Sequence, residues 1–400
     1  MQTDGLVWPE STFCLGRLPV IQIIENVVKF IIQRVAGMMF PIQTSGKDIA
    51  GTQSAIVPVR VQHSVEIIFL AGQQIDDGRS SVKKLPDEYP YGSPAFAYGC
   101  GKIVVQHQKI VAVVPCHYKY NVPPFSPVDD VTKKLGQNVA AFLADEVKHG
   151  RVHKDFQPIQ SGVGNIANAV LAALQDAPEI PPFTLYTEVL QDQGVELIDK
   201  GRCTFASTGS LAVSDAVYDR IMDNIDFYKE HIILRPYELS NHPELVRRLG
   251  VITINTALEV DICGNVNSTH VMGTTMMNGV GGSADFARNA YTSIFICPSI
   301  AKKGAISAIV PYVSHVDSSE HSVMVVITEQ GVADLRGKSP RERAEAIIEN
   351  CAHPDYRPLL REYLNLPECQ TGHTPMSLEN AFAFHREFKK SGDMHNVKFE

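Results

Sequence analysis

With 400 residues, 44% of them apolar and 20% charged, the chain has the composition of an ordinary soluble enzyme, with room for two or three domains. A formal net charge of −8 argues against a nucleic-acid binder, which would carry a basic face, and leaves any anionic substrate dependent on local cations. The eight cysteines are scattered singly with no CxxC pair, so free thiols in a reducing compartment are expected rather than a disulfide framework or a metal cluster.

The first 19 residues contain Asp4 and Glu10 and no apolar core, so they read neither as a secretory signal nor as a mitochondrial presequence, and a cytoplasmic protein is expected. In the apolar stretch 19–40, Glu25, Lys29 and Arg34 interrupt Val20, Ile24, Val27, Ile31 and Val35 at helical spacing. That pattern predicts an amphipathic helix and no membrane span. Residues 54–61 and 64–70 could be strands, and 72–93 is a polar loop rich in Gly, Pro and Asp.

From residue 101 the text becomes regular. Residues 102–105 and 109–114 look like strands, the second nearly continuous in β-branched residues, as in a parallel strand covered on both faces. A helix follows over 128–150, then the turn Gln160-Ser-Gly-Val-Gly-Asn165 feeding an alanine-rich helix over 166–174. The glycines let backbone amides face outward at a helix start, where an anion or oxyanion is stabilised; a plain helix-entry turn accounts for the motif equally well. Beyond a proline-rich linker at 176–182, the run Phe183-Thr-Leu-Tyr186 reads as a strand with Glu188 arriving where it ends. In open α/β sheets reactive groups sit beyond the carboxyl ends of strands, which makes Glu188 a candidate nucleophile; on position alone it could equally be an exposed glutamate opening a helix.

The alternation continues with a helix at 193–200, a short strand at 201–206, a helix at 214–224, a strand at 231–234 and a polar connection at 235–243. Asn241 stands before the next helix and could be its N-cap. Residues 250–261 form a strong strand candidate, 264–270 a polar loop, and Met276-Met-Asn-Gly-Val-Gly-Gly-Ser-Ala-Asp-Phe286 a glycine-rich loop entering a helix. That loop is neither a Walker A sequence nor GxGxxG. Its glycines turn consecutive N–H groups inward, which suits an oxyanion or a pantetheine chain better than a triphosphate. Strands at 306–313 and 322–328 follow, the second delivering Glu329 at its end, then a helix at 340–350 and, from 370, a surface helix and tail. This β/α alternation predicts an α/β fold with a largely parallel sheet.

Six blocks now carry a resemblance: QSGVGNIANAV at 160–170, LYTEVLQD at 185–192, LRPYELSNHPELVRRLG at 234–250, NTALEVDICGNVNSTHVMGT at 255–274, MMNGVGGSADFARNA at 276–290 and VITEQGVADLRG at 326–337. In this order they resemble the acetate/succinate CoA-transferase and acetyl-CoA hydrolase family of class I CoA-transferases, across roughly residues 100–365. The resemblance implies two open α/β domains with largely parallel sheets and the active site between them. Here these would be residues 1–180, incomplete or divergent before about 95, and a catalytic domain at 181–370, followed by a C-terminal helix and tail at 371–400.

The resemblance also implies function. CoA moves between an acyl-CoA (succinyl-CoA or acetyl-CoA) and a small carboxylate such as acetate, through an acyl-glutamyl anhydride and a glutamyl-CoA thioester. By position, Glu188 matches the nucleophile, Val163 and Gly282 the backbone donors of an oxyanion hole, Asn241 and Glu329 further polar lining, and Gly279 and Gly281 the CoA-proximal loop. A homodimer with no resident cofactor and no metal is implied, CoA being a substrate. Acetyl-CoA hydrolysis by the same glutamate and a catalytically silent, truncated CoA-binding member remain as alternatives.

Glu259 rivals Glu188, since ALEVD also ends a strand, but a strand-end acid bonding the 265–269 loop is the commoner arrangement. His270 and His315 are expected to be loop or core histidines, because neither nucleophile nor acceptor needs a general base and their spacing does not suit a metal. Two features depart from the family. No glycine-rich turn after a strand occurs in residues 1–95, and the 116–124 loop offers Lys119 where an arginine is usual. An ammonium cannot reproduce a guanidinium's bidentate grip on a carboxylate.

Overall fold

The computed structural model describes residues 129–153 and 155–400, together with two short strands, β1 (Pro58–Val61) and β2 (Val65–Ile68). The expected amphipathic helix at 19–40, the strands at 102–105 and 109–114 and the loop holding Lys119 lie outside the described residues. The chain divides into two compact units; β1 and β2 pair antiparallel within the first, and residues 129–400 belong to the second.

The second unit opens with α1 (Asp130–Lys148), whose N-cap Asp129 accepts from the Thr132 N–H at 2.7 Å. Its Leu135, Val139 and Leu143, spaced by four, are fully buried. The chain then runs β3 (Ile159–Ser161), α2 (Asn165–Gln175), β4 (Phe183–Gln191), α3 (Asp192–Asp199), β5 (Cys203–Ala212), α4 (Asp215–Asp223), α5 (Ile225–His231) and β6 (Ile232–Leu234). Short helices α6 (Tyr237–Ser240) and α7 (Pro243–Leu249) lead to β7 (Ile252–Thr256), β8 (Glu259–Asp261) and β9 (Val266–Asn267). The hairpin of β10 (His270–Val271) and β11 (Thr275–Met276) precedes α8 (Ser283–Asn289) and β12 (Thr292–Ile296). After β13 (Ile300–Ala301), β14 (Ile306–Ser307) and β15 (Ile309–Val310) come β16 (Val325–Thr328), β17 (Gly331–Asp334) and the helices α9 (Pro340–Cys351), α10 (Arg357–Leu364), α11 (Pro367–Thr371) and α12 (Ala383–Ser391).

Among the described residues the main sheet has eight strands in the order β17-β16-β12-β7-β3-β4-β5-β6. Only β16 and β17 pair antiparallel, so the expected α/β fold with a largely parallel sheet is what the chain adopts. Both faces are covered, and alternate residues serve opposite cores: Ile294 and Ile296 join one with Leu185, Ile252 and Val325, while Phe295 and Cys297 join another with Val326, Ile347 and Tyr356. At the centre, Gln160 on β3 and Asn255 on β7 exchange two amide hydrogen bonds of 3.1 Å, which fixes the register of these buried strands.

Several elements differ from expectation. The strand at 183–186 continues to Gln191 and that at 201–206 to Ala212, because β4 and β5 pair along almost their full lengths. The strand at 250–261 divides: the Ala257 N–H still pairs with Ile296, but the Leu258 N–H turns to Asn267, which carries β8 into a separate three-stranded sheet with β9 and β15. The strand at 306–313 likewise breaks into β14 and β15. Strand β12, third from the β17 edge of the sheet, is not among the expected elements. The C-terminal helix is no mere surface element, since Ala383, Phe384 and His385 are buried.

Candidate active site

Glu188 sits within β4 rather than past its end, yet the reason for suspecting it survives. Strand β3 stops at Ser161, whose carbonyl accepts from the Thr187 hydroxyl at 2.9 Å. Glu188 therefore lies just beyond the carboxyl end of β3 while β5 continues alongside it. Thr187 pairs with Thr208 and Val189 with Ser210, but the ladder skips Glu188 and Gly209. There the Thr208 hydroxyl donates to the Glu188 carbonyl at 3.1 Å and to the Ser210 carbonyl at 3.0 Å.

The half-buried Glu188 carboxylate accepts a hydrogen bond of 2.8 Å from the Gly282 N–H, which precedes α8. A Cβ at Gly282 would stand 2.5 Å from Glu188 Oε2 and closer still to Asn241 Nδ2, so only glycine fits between the two side chains. Gly281, at φ +54°, supplies the left-handed turn that aims the Gly282 N–H, and its own Cβ position is 3.6 Å from the same carboxylate oxygen. Asn241 is not the N-cap of α7. It ends α6, and His242 is the cap, its Nδ1 accepting from the Glu244 N–H at 3.2 Å. The Ser240 hydroxyl donates to Asn241 Oδ1 at 2.7 Å, leaving the amide nitrogen to face Gly282 and Glu188.

A small core of its own holds these three segments together. Tyr186 of β4, Leu245, Val246 and Leu249 of α7, Val251 and Phe286 of α8 form one buried cluster. Tyr186 and Phe286 meet edge to face with ring centroids 6.5 Å apart. The Tyr186 hydroxyl also donates to the Leu239 carbonyl, two residues before Asn241. Burial pushes the Tyr186 hydroxyl well above the ordinary phenol range, so it stays protonated and able to donate.

Val163 is exposed at the tip of the β3–α2 turn. The turn is tied to β4 on both sides of Glu188, through Ser161 to Thr187 and by a 3.0 Å bond from the Gly164 N–H to the Gln191 side chain. No hydrogen bond occupies the Val163 N–H among the described residues. Gly279 is exposed in the glycine loop with open space where a Cβ would be. Glu329 does end β16, but its carboxylate is taken up locally, by the Ser299 N–H at 2.8 Å, the Ser299 hydroxyl and Gln330 Nε2 at 3.0 Å. Four strand intervals separate β16 from β4, roughly 19 Å at about 4.8 Å each, so Glu329 shares the sheet edge with Glu188 without touching it.

Glu259 has a structural role. Its Oε1 accepts from Asn267 Nδ2 at 2.9 Å and from the N–H and hydroxyl of Ser314 at 2.7 Å each, and its Oε2 meets His385 Nε2 at 2.8 Å. Burial alone would raise this carboxyl, but the His385 bond and charge, with Asn267 and Ser314, hold it below the usual glutamate range. His270 and His315 lie against each other with ring centroids 4.0 Å apart and planes tilted by 36°, and the Thr269 hydroxyl contacts both the His270 ring and Asp317. The Thr269 carbonyl in turn accepts from the N–H groups of Met277 and Asn278, which anchors the start of the glycine loop. No His, Cys, Asp and Glu cluster suited to a metal ion occurs among the described residues, and no described helix is long and apolar enough to cross a membrane. Cys203, Cys263, Cys297, Cys351 and Cys369 are buried free thiols; burial raises Cys203 and Cys351 to about 12, so they are unsuited to nucleophilic roles.

Sequence reasoning missed the residues that build the site from behind. Tyr186, Phe286 and the Gln160–Asn255 pair were not singled out, although all four residues lie inside quoted blocks.

Comparison with known proteins adds the following. The acetyl-CoA hydrolase/transferase C-terminal domain matches residues 218–364. Succinyl-CoA:acetate CoA-transferase of Clostridium kluyveri is 53% identical over 289 residues, covering 72% of this chain and 53% of that protein. Acetyl-CoA hydrolase of Neurospora crassa is 38% identical over 375 residues, covering 90% of this chain and 71% of that one. The solved 4-hydroxybutyrate CoA-transferase of Porphyromonas gingivalis superposes with a TM-score of 0.50 at 28% identity, over 67% of this chain and 63% of its own. The chain thus spans about half the length of the Clostridium relative.

Proposed function

The chain belongs to the acetyl-CoA hydrolase/transferase family, and on that premise we propose that it moves CoA between an acyl-CoA and a small carboxylate through a glutamyl-CoA thioester on Glu188. The observation that carries this reading is the Gly282 N–H on the Glu188 carboxylate, with the Asn241 amide facing the same point. Succinyl-CoA and acetate are the pair named for the Clostridium relative and the pair proposed here.

The chemistry follows from those groups. A Glu188 oxygen attacks the thioester carbon, the carbonyl electrons move onto oxygen, and their return expels CoA thiolate and leaves an acyl-glutamyl anhydride. The thiolate then attacks the glutamyl carbon of that anhydride, releasing the first carboxylate and forming the glutamyl-CoA thioester. An acceptor carboxylate runs the same two steps in reverse. The oxyanion on the glutamyl carbon is Glu188's own oxygen, which already rests on the Gly282 N–H. The oxyanion on the substrate carbon needs a second donor, and the Val163 N–H is proposed for it. Preorganised amides of this kind contribute on the order of a hundredfold or more each. The CoA tail supplies binding energy that can be used at the reacting carbon. Asn241, Gly279, Gly281 and Glu329 are assigned to binding substrate and CoA. The reaction needs no resident cofactor and no metal, CoA being a substrate.

Acetyl-CoA hydrolysis is the second reading, favoured by the name of the Neurospora relative; water would then take the acyl group from the same anhydride or thioester. A cytoplasmic homodimer is proposed, the location resting on the buried free thiols, which suit a reducing compartment.

The test is peptide mass spectrometry after incubation with succinyl-CoA or acetyl-CoA without acceptor. The expected result is a CoA-sized adduct on the peptide containing Glu188, absent in Glu188→Ala, with the variant's melting temperature unchanged and its turnover lost. A folded protein that forms no adduct, or a Glu188→Ala variant with near-normal turnover, would reject the assignment. Product analysis with and without added carboxylate separates transfer from hydrolysis.

A further inference from the structure

Strand β4 gives the site more than Glu188. The Val163 N–H belongs to the peptide unit joining Gly162 to Val163, and the units on either side of it are both held. In the preceding unit the Ser161 carbonyl accepts from the Thr187 hydroxyl and the Gly162 N–H donates to the Ile254 carbonyl, each at 2.9 Å. In the following unit the Gly164 N–H donates to Gln191 Oε1 at 3.0 Å. A peptide unit is planar, so the one between can only swivel about its two Cα atoms. Val163 is not among the residues with positive φ, and a β-branched residue is confined to negative φ, which blocks a large swivel. The Val163 N–H therefore keeps one direction for as long as both neighbouring units stay in place.

The two clamps are not equally backed up. The first uses two bonds, one of them to the β7 backbone, whereas among the described residues the second rests on the Gln191 side chain. Gly164, at φ +112°, has no side chain with which to hold the turn itself, and α2 has no side-chain cap. Gln191 is buried at the end of β4, three residues past Glu188. It occupies the N-cap position of α3 without capping it, and its side chain reaches instead to a residue 27 positions earlier. One strand thus carries Glu188 and, on either side of it, Thr187 and Gln191, which hold the donor turn.

We propose that Gln191 is a positioning residue: by holding the Gly164 N–H it aims the Val163 N–H at the oxyanion that forms on the acyl carbon of the thioester. The inference rests on the transferase reading above and deepens it. Gln191 acts through the turn and not on the reacting atoms. Its effect is confined to one of the two oxyanions, because the oxygen on the glutamyl carbon rests on Gly282, in a different loop. Releasing the turn therefore slows the step at the acyl carbon and leaves the step at the glutamyl carbon alone.

The experiment compares the full chain with Gln191→Met, which keeps the reach of the side chain but not its carbonyl acceptor, and with Gln191→Asn, which keeps the amide but is one methylene too short. Folding is checked by melting temperature. Formation of the Glu188–CoA adduct from acetyl-CoA is timed by mass spectrometry. The completed adduct is then treated with hydroxylamine. Its nitrogen attacks the glutamyl carbon and expels CoA thiolate, which takes the nitrogen's proton, leaving a glutamyl hydroxamate. Misplacing a group by about 1 Å can cost a hundredfold, so adduct formation is expected to slow about tenfold to a hundredfold in both variants. KM for acetyl-CoA and the rate of hydroxylamine cleavage should each stay within about threefold of wild type, as for an interaction made only in the acyl-carbon transition state. Should Gln191→Met not fold, Gln191→Asn carries the comparison. Adduct formation within about threefold of wild type, equal slowing of formation and cleavage, or a loss that appears in KM would each overturn the proposal. If the wild-type chain neither forms the adduct nor turns over any acyl-CoA, the transferase reading falls and takes this proposal with it. An active wild type matched by both variants removes the Gln191 role alone.

Discussion

Replacing Gly282 by alanine tests the site at the one point where space and chemistry are tied together. The added methyl would lie 2.5 Å from Glu188 Oε2 and nearer still to Asn241 Nδ2. Carbon and polar atoms need roughly 3.2 Å or more, so something must move by several tenths of an ångström. Both obstructing atoms are the ends of flexible side chains, not backbone, so the fold can yield cheaply. What yields is the site, because Glu188 leaves its 2.8 Å bond to the Gly282 N–H and the Asn241 amide turns away. Losing one preorganised oxyanion donor costs about 2.7–4 kcal/mol of transition-state stabilisation, or a hundredfold to a thousandfold in kcat. Gly282→Ala should therefore keep a melting temperature within a few degrees of wild type while kcat for CoA transfer falls about a hundredfold or more. Gly282→Val should be worse. Stopped-flow thioester absorbance beside a thermal melt reads both. A Gly282→Ala enzyme within about threefold of wild-type kcat would refute the oxyanion role, since the geometry leaves that methyl no harmless place.

The supporting residues give contrasting expectations. Phe286→Ala empties a fully buried position in the small core behind Glu188, so stability should fall by about 3–5 kcal/mol in urea denaturation. The surviving folded enzyme should also lose kcat, because α8 carries Gly282; stability loss with kcat intact would separate the core from the site. Glu259→Gln should lower stability at pH 7 by on the order of 1–3 kcal/mol, because the buried donors of Asn267, Ser314 and His385 lose their carboxylate acceptor. The folded-state pKa of Glu259 lies below its ordinary value near 4.5, so its contribution is fully present above pH 4.5 and is lost as pH falls through the folded value. The gap between wild type and Glu259→Gln in denaturation free energy should therefore shrink on acidification below pH 4.5, and a gap constant down to pH 3 would contradict the ion-pair account.

How much of this was legible without coordinates depends on which interactions are local. The turn at 161–164, the glycine loop and the strand–helix alternation are written in glycines, β-branched runs and caps, and they were read correctly as types. Their limits were not, because the lengths of β4 and β5 are set by pairing between strands, and nothing in either segment alone announces that partner. Strand β12 is short and buried on every residue, so it lacks the alternation by which strands are recognised, although Asn289 and Pro298 bound it. Asn241 was open to the commonest use of asparagine before a helix, and what distinguishes it from a cap is that His242 takes that place while the Asn241 amide lies beside Gly282. Glu259 shows the converse: its strand-end position matched that of a nucleophile, and the four hydrogen bonds that occupy it come from residues up to 126 positions away.

The placement of Glu188 follows from a mismatch in strand length. If β3 and β5 both reached the level of residue 188, its carboxylate would be walled in on both sides; if neither did, it would hang on a loop. Here β3 ends opposite Thr187 while β5 runs on to Ala212, so one flank opens for substrate and the other stays rigid. Tyr186, two residues back on the same strand, packs on Phe286 and bonds to Leu239. A single strand thus sets the proposed nucleophile and, through one side chain, the two segments that present Gly282 and Asn241 to it. A carboxylate is a weak nucleophile and must be helped by geometry held to a fraction of an ångström. That demand explains why this site is mounted on a central strand with a core of its own, and why its mobile-looking glycines are anchored, Gly282 to Glu188 and the loop's start to Thr269.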